Sequence, residues 1–345
     1  MKDWRNLLLL GALLWAGCTN PMPLSGGTTP TVHARPALLT DHLGTAQELI
    51  PTETEIAAAK AALGQSGFIG IVACNLSSEY HATVPRAAQA RADKLGLRVE
   101  VFDSESKADR QVAAIENFVS KGAQAIVICA LDPKVIDKAV HEAADQGVYV
   151  LQYAGRDLAV NGIGISIEDA DLGCAAGEIA GGLIAKEKGG QATVALLDFP
   201  SLPNVVERAD NIEKCLKQNA PDVKIVGRYL GGTRENGLTS LENALQAHPE
   251  IDVVVSINDA GALGAVQALE AAGKNPQSTI VVGIDAEAQA KDLIKQGKFL
   301  RGTVDTAPAQ TGEMVVNAAI KLLAGSTAPK NVRVPVSKIT QDLLP

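Results

Sequence analysis

Residues 251–286 constrain the fold of this chain more than any other stretch. They contain two short runs of β-branched residues, 253–255 and 280–282, separated by a segment rich in Ala and Leu. Runs that are apolar on both faces are typical of strands in a parallel sheet covered by helices. The segment between them predicts a helix over residues 260–272 that ends at Gly273. Strand, helix and strand together predict a right-handed crossover in a parallel α/β sheet.

Polar residues follow both of these strands. Asn258 and Asp259 come after the first strand, and Asp285 comes after the second. Ligands of open parallel sheets bind outside the carboxyl ends of the strands, so we predict that Asn258 and Asp285 face one ligand. The alternative is that Asp285 only caps the next helix and that Asn258 only forms a turn. Their joint position at two strand ends favours ligand contact.

The alternation of strands and helices extends along most of the chain. Residues 68–153 read as strands separated by helices, and residues 172–324 repeat the scheme. Short connections between such elements are typical of doubly wound sheets, and 345 residues suit two domains of this kind. Residues 52–64 begin with a capping box and predict a helix. Residues 332–340 alternate in polarity and predict one closing strand.

The first 18 residues have the form of an export signal. Lys2 and Arg5 precede an apolar run that ends before Gly17 and Cys18, and this run is too short to span a membrane. Residues 14–18, LWAGC, resemble a bacterial lipobox, which implies a lipid on Cys18 and a membrane anchor. Simple cleavage and release is the alternative. Residues 19–66 then read as a tether rich in Pro, Gly and Thr, followed by the N-terminal helix.

Several classes of function lack support in the sequence. The formal net charge is -8 and no basic stripe offsets it, which excludes nucleic acid as a partner. There is no G-x-S-x-G, H-E-x-x-H or complete P-loop, and the five histidines are scattered without metal-ligand spacing. Catalysis needs a nucleophile paired with a base, and none is evident. We therefore expect no enzymatic activity, no metal and no cofactor.

Short motifs occur in a fixed order through residues 67–341. They are ADKLG at 92–96, FDS at 102–104, AHP at 247–249, ND at 258–259, VGID at 282–285 and QGK at 296–298. Their order and spacing resemble the ribose-binding-protein type of periplasmic solute-binding protein, the extracytoplasmic component of ABC sugar importers.

The resemblance implies an α/β fold of two doubly wound, Rossmann-like lobes joined by a three-strand hinge, the type I periplasmic binding protein. Residues 67–166 with 307–332 would form the N-terminal lobe, and residues 167–306 with 333–345 the C-terminal lobe. The lobes would close over a sugar or polyol, and a monomer would deliver it to an ABC permease and its ATPase. A sensor module of the same fold, feeding a chemoreceptor or histidine kinase, is the alternative.

The resemblance also implies individual ligand contacts. Asn258 and Asp285 match two positions that hydrogen-bond sugar hydroxyls. Ser78, Tyr80 and His81 match a polar residue and two aromatic residues that stack on the sugar ring.

Other positions depart from the family pattern. An Asp-Arg pair is replaced by residues 153–156, so that Tyr153 and Arg156 are the candidates there. A ligand-binding Arg falls on Val206, with Arg208 close behind, and a rim aromatic falls on Gly232. A hinge Gln falls on Thr306. These departures argue against ribose itself as the ligand.

Four cysteines follow Cys18, namely Cys74, Cys129, Cys174 and Cys215. Cys74 and Cys129 end neighbouring strands, whose spacing of about 4.8 Å lies within the reach of a disulfide, roughly 4.4 to 6.8 Å. Export makes a bridge chemically possible. Between a bridge and two buried thiols, we favour the thiols, and we leave the state of Cys174 and Cys215 open.

Overall fold

The computed structural model describes residues 36–154 and 160–344. Thirteen strands lie in the part of the chain described. The strands are β1 (Leu38–Gly44), β2 (Phe68–Ala73), β3 (Val99–Asp103), β4 (Ala123–Cys129), β5 (Tyr149–Tyr153), β6 (Gly164–Ser166), β7 (Thr193–Asp198), β8 (Lys224–Leu230), β9 (Val253–Ser256), β10 (Ile280–Val282), β11 (Leu300–Asp305), β12 (Thr327–Arg333) and β13 (Ser337–Thr340).

Ten α-helices connect these strands within the same ranges. The helices are α1 (Glu53–Leu63), α2 (Glu79–Leu95), α3 (Ala108–Ser120), α4 (Pro133–Asp145), α5 (Asp169–Lys188), α6 (Pro203–Asn219), α7 (Arg234–Ala247), α8 (Asp259–Ala271), α9 (Ala288–Gln296) and α10 (Pro308–Leu323). None of the described helices combines the length and the apolar content needed to cross a bilayer.

The strands form two sheets, each covered by helices on both faces. The first has the order β1-β12-β6-β5-β4-β2-β3, and the second has the order β13-β11-β10-β9-β7-β8. Helices α1, α2 and α10 pack on one face of the first sheet, and α3 and α4 pack on the other. In the second sheet, α5 and α6 lie opposite α7, α8 and α9. The predicted α/β fold with two doubly wound lobes is confirmed.

The central strands are buried on both faces, as their composition predicts. Every residue of β2, β9 and β10 is buried. Each pairs in parallel with its neighbours, and the antiparallel pair β11–β13 stands apart at one edge of the second sheet. Apolar runs of this kind stabilise the sheet through burial, at about 25 cal/mol per Å² of apolar surface.

The chain passes between the lobes at three places. It leaves the first sheet after β6, returns after β11 to form α10 against α2, and crosses again between Arg333 and Ser337. The predicted single strand over residues 332–340 is therefore wrong, because β12 belongs to the first sheet and β13 to the second. Pro335 lies between them and cannot donate a backbone hydrogen bond, which ends the pairing of β12.

Part of the predicted tether is instead a strand. β1 pairs in parallel with β12, with Leu38 opposite Thr327, and the following 3-10 helix Ala46–Leu49 buries Leu49. The alternation in β1 is weak, since both Leu38 and Leu43 are exposed. The partner strand lies almost 300 residues away in the chain, so local sequence carries little sign of the pairing.

Two disulfides link neighbouring elements. Cys74 is bonded to Cys129 across β2 and β4, with Cα atoms 5.2 Å apart. Cys174 is bonded to Cys215 across α5 and α6, with Cα atoms 5.1 Å apart. The prediction that Cys74 and Cys129 are free buried thiols is therefore wrong. The two neighbouring strands are close enough for the disulfide, as their expected spacing allowed.

Helices α5 and α6 pack at very short range because α5 carries glycine at every fourth position. A Cβ on Gly173 would lie 2.1 Å from the Arg208 carbonyl oxygen, and one on Gly177 would lie 2.4 Å from the Ile212 carbonyl oxygen. This close approach brings the N-terminus of α6, with Arg208, against the first turn of α5.

We expect Gly177→Ala to destabilise the protein by about 1–3 kcal/mol, since the methyl group would force the two helices apart. Gly182→Ala in the same helix is the matched control, because a Cβ there meets nothing within 4 Å. It should stabilise the helix by up to about 1 kcal/mol. Urea unfolding of both variants measures the difference, and equal free energies of unfolding would contradict the packing.

Removing either disulfide as a double Cys→Ala variant should lower the free energy of unfolding by roughly 4 kcal/mol, because the bonds close loops of 55 and 41 residues. Chemical denaturation without reductant measures this loss. Thiol titration of the denatured, unreduced protein is the check: reactive thiols at these four positions would show that the bonds do not form.

Candidate functional site

A cavity of about 510 Å³ lies between the two lobes, at the carboxyl ends of the strands of both sheets. The first lobe contributes residues that follow β2, β4 and β5, and the second contributes residues that follow β7, β8, β9, β10 and β11. Its lining includes Asn75, Ser78, Tyr80, His81, Leu131, Ala154, Asp169, Leu172, Phe199, Leu202, Val205, Arg208, Gly232, Asn258, Asp285, Glu287 and Thr306.

Asn258 both caps α8 and lines the cavity. Its Oδ1 accepts a hydrogen bond from Gly261 N at 2.9 Å, and its Nδ2 donates to the Gly232 carbonyl at 2.9 Å. Asn258 therefore caps a helix, which was the alternative, and also lies on the cavity, which was the prediction. These two bonds fix the amide orientation and leave one N–H and one oxygen lone pair for a ligand.

Asp285 lies on the cavity in a strained conformation. Its φ of 119° falls in a region that non-glycine residues rarely adopt, and its backbone N–H donates to the Val304 carbonyl at 2.8 Å. Burial raises the pKa of the carboxyl group to about 7, and the positive charge of Arg208 opposes this shift. Strain and burial at one carboxyl group each cost free energy.

Asp285 does not cap the next helix, α9, whose N-cap is Glu287 and which has no side-chain capping bond. The buried carboxylate of Asp259 accepts a hydrogen bond from Glu287 N, at the start of α9, at 2.9 Å. It also accepts from Thr303 Oγ1 at 2.8 Å. Burial, and then the neighbouring charge of Asp285, raise the pKa of Asp259 well above its ordinary value. Gly283 leaves room for it, since a Cβ there would lie 2.0 Å from Asp259 Oδ1.

Arg208 supplies a guanidinium group at the cavity. Its Nε donates to Asp169 Oδ1 at 2.7 Å, and its Nη1 donates to the Ile257 carbonyl at 2.9 Å. Val206 occupies the position where the family has a ligand-binding arginine, and it does not line the cavity. Val205 and Arg208 do, because residues three apart on a helix share one face. Sequence reasoning missed Asp169, whose signal is an acidic residue in the first turn of the helix after the hinge.

Ser78, Tyr80 and His81 lie together at the start of α2. Ser78 is the N-cap, so the helix begins at Glu79 and not at Thr83 as the sequence pattern suggested. His81 N donates to Ser78 Oγ at 3.3 Å, and the Tyr80 and His81 rings meet edge to face at 5.2 Å. Burial lowers the pKa of His81, so its ring is neutral at pH 7. Burial, with the nearby Asp285, raises the pKa of Tyr80.

The structure gives a different result for each of the remaining predicted site residues, which are Tyr153, Arg156 and Thr306. Tyr153 is fully buried and packs in the core of the first lobe, and it does not line the cavity. Arg156 lies outside the described residues. Thr306 lines the cavity and is 3% exposed, and its hydroxyl has no hydrogen-bond partner among the described residues. A buried hydroxyl without a partner is costly, and a ligand hydroxyl would supply the missing bond.

An aromatic ring does stand at the second-lobe rim, although Gly232 occupies the position expected for it. A Cβ on Gly232 would lie 2.5 Å from Phe199 Cδ2, so the Phe199 ring packs directly on the Gly232 backbone. Gly232 also has a φ of 82°, which favours glycine. Phe199, from the loop after β7, therefore takes the place of the missing rim residue.

Among the described residues, one group has the spacing of metal ligands. It consists of Cys74, His81 and Cys129, whose ligand atoms lie within 4.8 Å of one another. The two sulfur atoms are bonded to each other in a disulfide, so they offer no thiolate to a metal. All three residues line the cavity.

Most of the chain matches the model of one protein family. The model of a family described as "Periplasmic binding protein domain" matches residues 69–327. The ribose import binding protein of Bacillus subtilis is 29% identical over 275 residues, which cover 79% of this chain and 87% of that protein.

Two solved structures share the fold. An ABC transporter periplasmic solute binding protein from Actinobacillus succinogenes with bound D-allose has a TM-score of 0.72 at 24% identity, covering 80% of this chain and 98% of that one. An ABC transporter solute binding protein from Bacillus halodurans with bound myo-inositol has a TM-score of 0.68 at 26% identity, covering 81% and 96%.

The buried carboxyl groups predict how stability depends on pH. Asp285 retains its proton up to a pH of about 7 in the folded chain but loses it near 3.8 when unfolded. The folded state binds more protons between these values, so the free energy of unfolding should fall as the pH rises from about 4 to about 7. Asp285→Asn should make this fall shallower, although Asp259 still contributes to it. Asp292→Asn, at an exposed site on α9, is the control. Identical pH profiles for all three proteins would contradict the assignment.

Proposed function

Because this chain belongs to the periplasmic binding protein family, whose members bind solutes and catalyse no reaction, we propose that it is the extracytoplasmic binding component of an ABC importer. Its ligand is a sugar or polyol held between the two lobes. The observation that carries this proposal is the set of hydrogen-bonding groups around one cavity, above all the buried Asp285 carboxylate. The ribose, D-allose and myo-inositol bound by its relatives support the ligand class.

The polar groups on the cavity suit hydroxyl groups. A carboxylate accepts charge-assisted hydrogen bonds, and Asp285 offers one above its pKa of about 7. It lies on the cavity with the amide of Asn258 and with the hydroxyl of Thr306, which has no partner among the described residues. These three groups follow β10, β9 and β11, which are adjacent in the second sheet. A ligand with neighbouring hydroxyls would satisfy all three at once, and one without them would leave buried groups unpaired.

Closure of the two lobes gives the binding mechanism. The ligand would touch α2 of the first lobe and the strand ends of the second, and contacts to both lobes favour the closed state. One contact across the mouth supports this geometry: Ala288 N, in the second lobe, donates to Glu79 Oε2, in the first lobe, at 3.2 Å. Closure moves the ligand out of water without making or breaking a covalent bond.

The proposal extends to location and partners. The lipobox-like residues 14–18 support lipidation of Cys18 and a membrane anchor. A monomeric binding protein so tethered would present its ligand to a permease and its ATPase. The sensor alternative is not favoured, because the relative from Bacillus subtilis is an import protein.

We expect calorimetric titration of the refolded protein with pentoses, hexoses and cyclitols to find a ligand. At a hundredfold excess over Kd this ligand would stabilise the fold by about 2.7 kcal/mol, which raises the melting temperature. Asp285→Asn should weaken binding about 10- to 100-fold, because a charge-assisted hydrogen bond is lost. Asp292→Asn should bind like the parent. The proposal fails if no member of the panel binds, and the role of Asp285 fails if its variant retains full affinity.

A further inference from the structure

The cavity has an apolar part that hydroxyl recognition does not use. Leu131 of the first lobe and Leu172, Phe199, Leu202 and Val205 of the second lobe all line it. In the second sheet the polar groups follow β11, β10 and β9, whereas Phe199 follows β7, on the far side of β9. The polarity of the cavity therefore changes along the sheet edge, from hydrogen-bonding groups at one end to an apolar wall at the other.

Leu202 is placed at the cavity at a cost to its helix. It occupies the N-cap of α6, a position that favours Ser, Thr, Asp or Asn, and it provides no side-chain capping bond. Its side chain is 38% exposed although it is a large aliphatic residue. Its backbone N–H donates to the Phe199 carbonyl at 3.2 Å, so one tight turn presents both apolar side chains.

Arg208, which shares α6 with Val205, has three of its five N–H donors engaged within the protein, by Asp169 and the Ile257 carbonyl. The Phe199 ring is held against Gly232. The cavity volume of about 510 Å³ lies within the range of about 300–1,000 Å³ that holds drug-sized ligands, which leaves room beyond a single sugar ring.

Resting on the proposed function, we propose that the ligand is a glycoside with an apolar aglycone. Its sugar or cyclitol ring binds at Asp285, Asn258 and Thr306, and its aglycone packs on Phe199, Leu202 and Leu172. Burial of an apolar group there removes both the ligand and Leu202 from water, which is the source of the added affinity. A free monosaccharide would fill only the polar end.

The test compares each free sugar of the panel with its phenyl α- and β-glycosides by calorimetric titration of the full-length chain. At least one phenyl glycoside should bind ten times more tightly than its parent sugar. Leu202→Ser should remove most of this advantage, measured as the ratio of the glycoside affinity to the free-sugar affinity on the same variant. Serine is a favoured N-cap, so the variant should fold at least as stably as the parent. Leu343→Ser, at an exposed leucine that does not line the cavity, is the matched control.

The outcomes separate this inference from the proposed function. If free sugars bind and no glycoside binds more tightly, the glycoside inference is overturned and the proposed function stands. The inference is equally overturned if glycosides bind more tightly but Leu202→Ser retains the whole advantage. If neither free sugars nor glycosides bind, the proposed function itself fails.

Discussion

The buried carboxylate of Asp259 ties together the elements on which the second half of the cavity depends. It accepts hydrogen bonds from β11, through Thr303, and from the start of α9, through Glu287. Asp285 lies two residues before Glu287 and has a strained φ of 119°. A carboxyl group that is buried beside a second acid costs free energy, and its two hydrogen bonds offset part of that cost.

Two further constraints hold the walls of the cavity, a disulfide in the first lobe and a close helix pair in the second. The Cys74–Cys129 disulfide joins β2 to β4 at the cavity floor, directly before the turn that presents Ser78. On the opposite side, the glycines of α5 let α6 approach until Arg208 reaches Asp169. Each constraint acts within one lobe. The relative position of the lobes therefore depends on the ligand and on the three hinge crossings.

The sequence predicted well those features that depend on local pattern. The buried strands, the capping box of α1 and the polar residues after β9 and β10 follow from apolar periodicity and turn chemistry. It failed where a distant partner decided the outcome. β1 became a strand because β12 pairs with it, and the closing strand divided because its two halves belong to different sheets. The Cys74–Cys129 bond needed the spacing of two strands that lie 55 residues apart.

By itself, therefore, the sequence determined the parallel strands of two α/β lobes and the polar groups at the strand ends, because short stretches of residues are enough to specify burial and backbone chemistry. Only the tertiary structure decided which side chains share the cavity. It withdrew Tyr153 into the core, made Asp259 the acceptor for the Glu287 N–H, brought in Arg208 in place of Val206, and set Phe199 and Leu202 on an apolar wall. Such placements depend on the angles and distances between elements far apart in the chain, which no local pattern records.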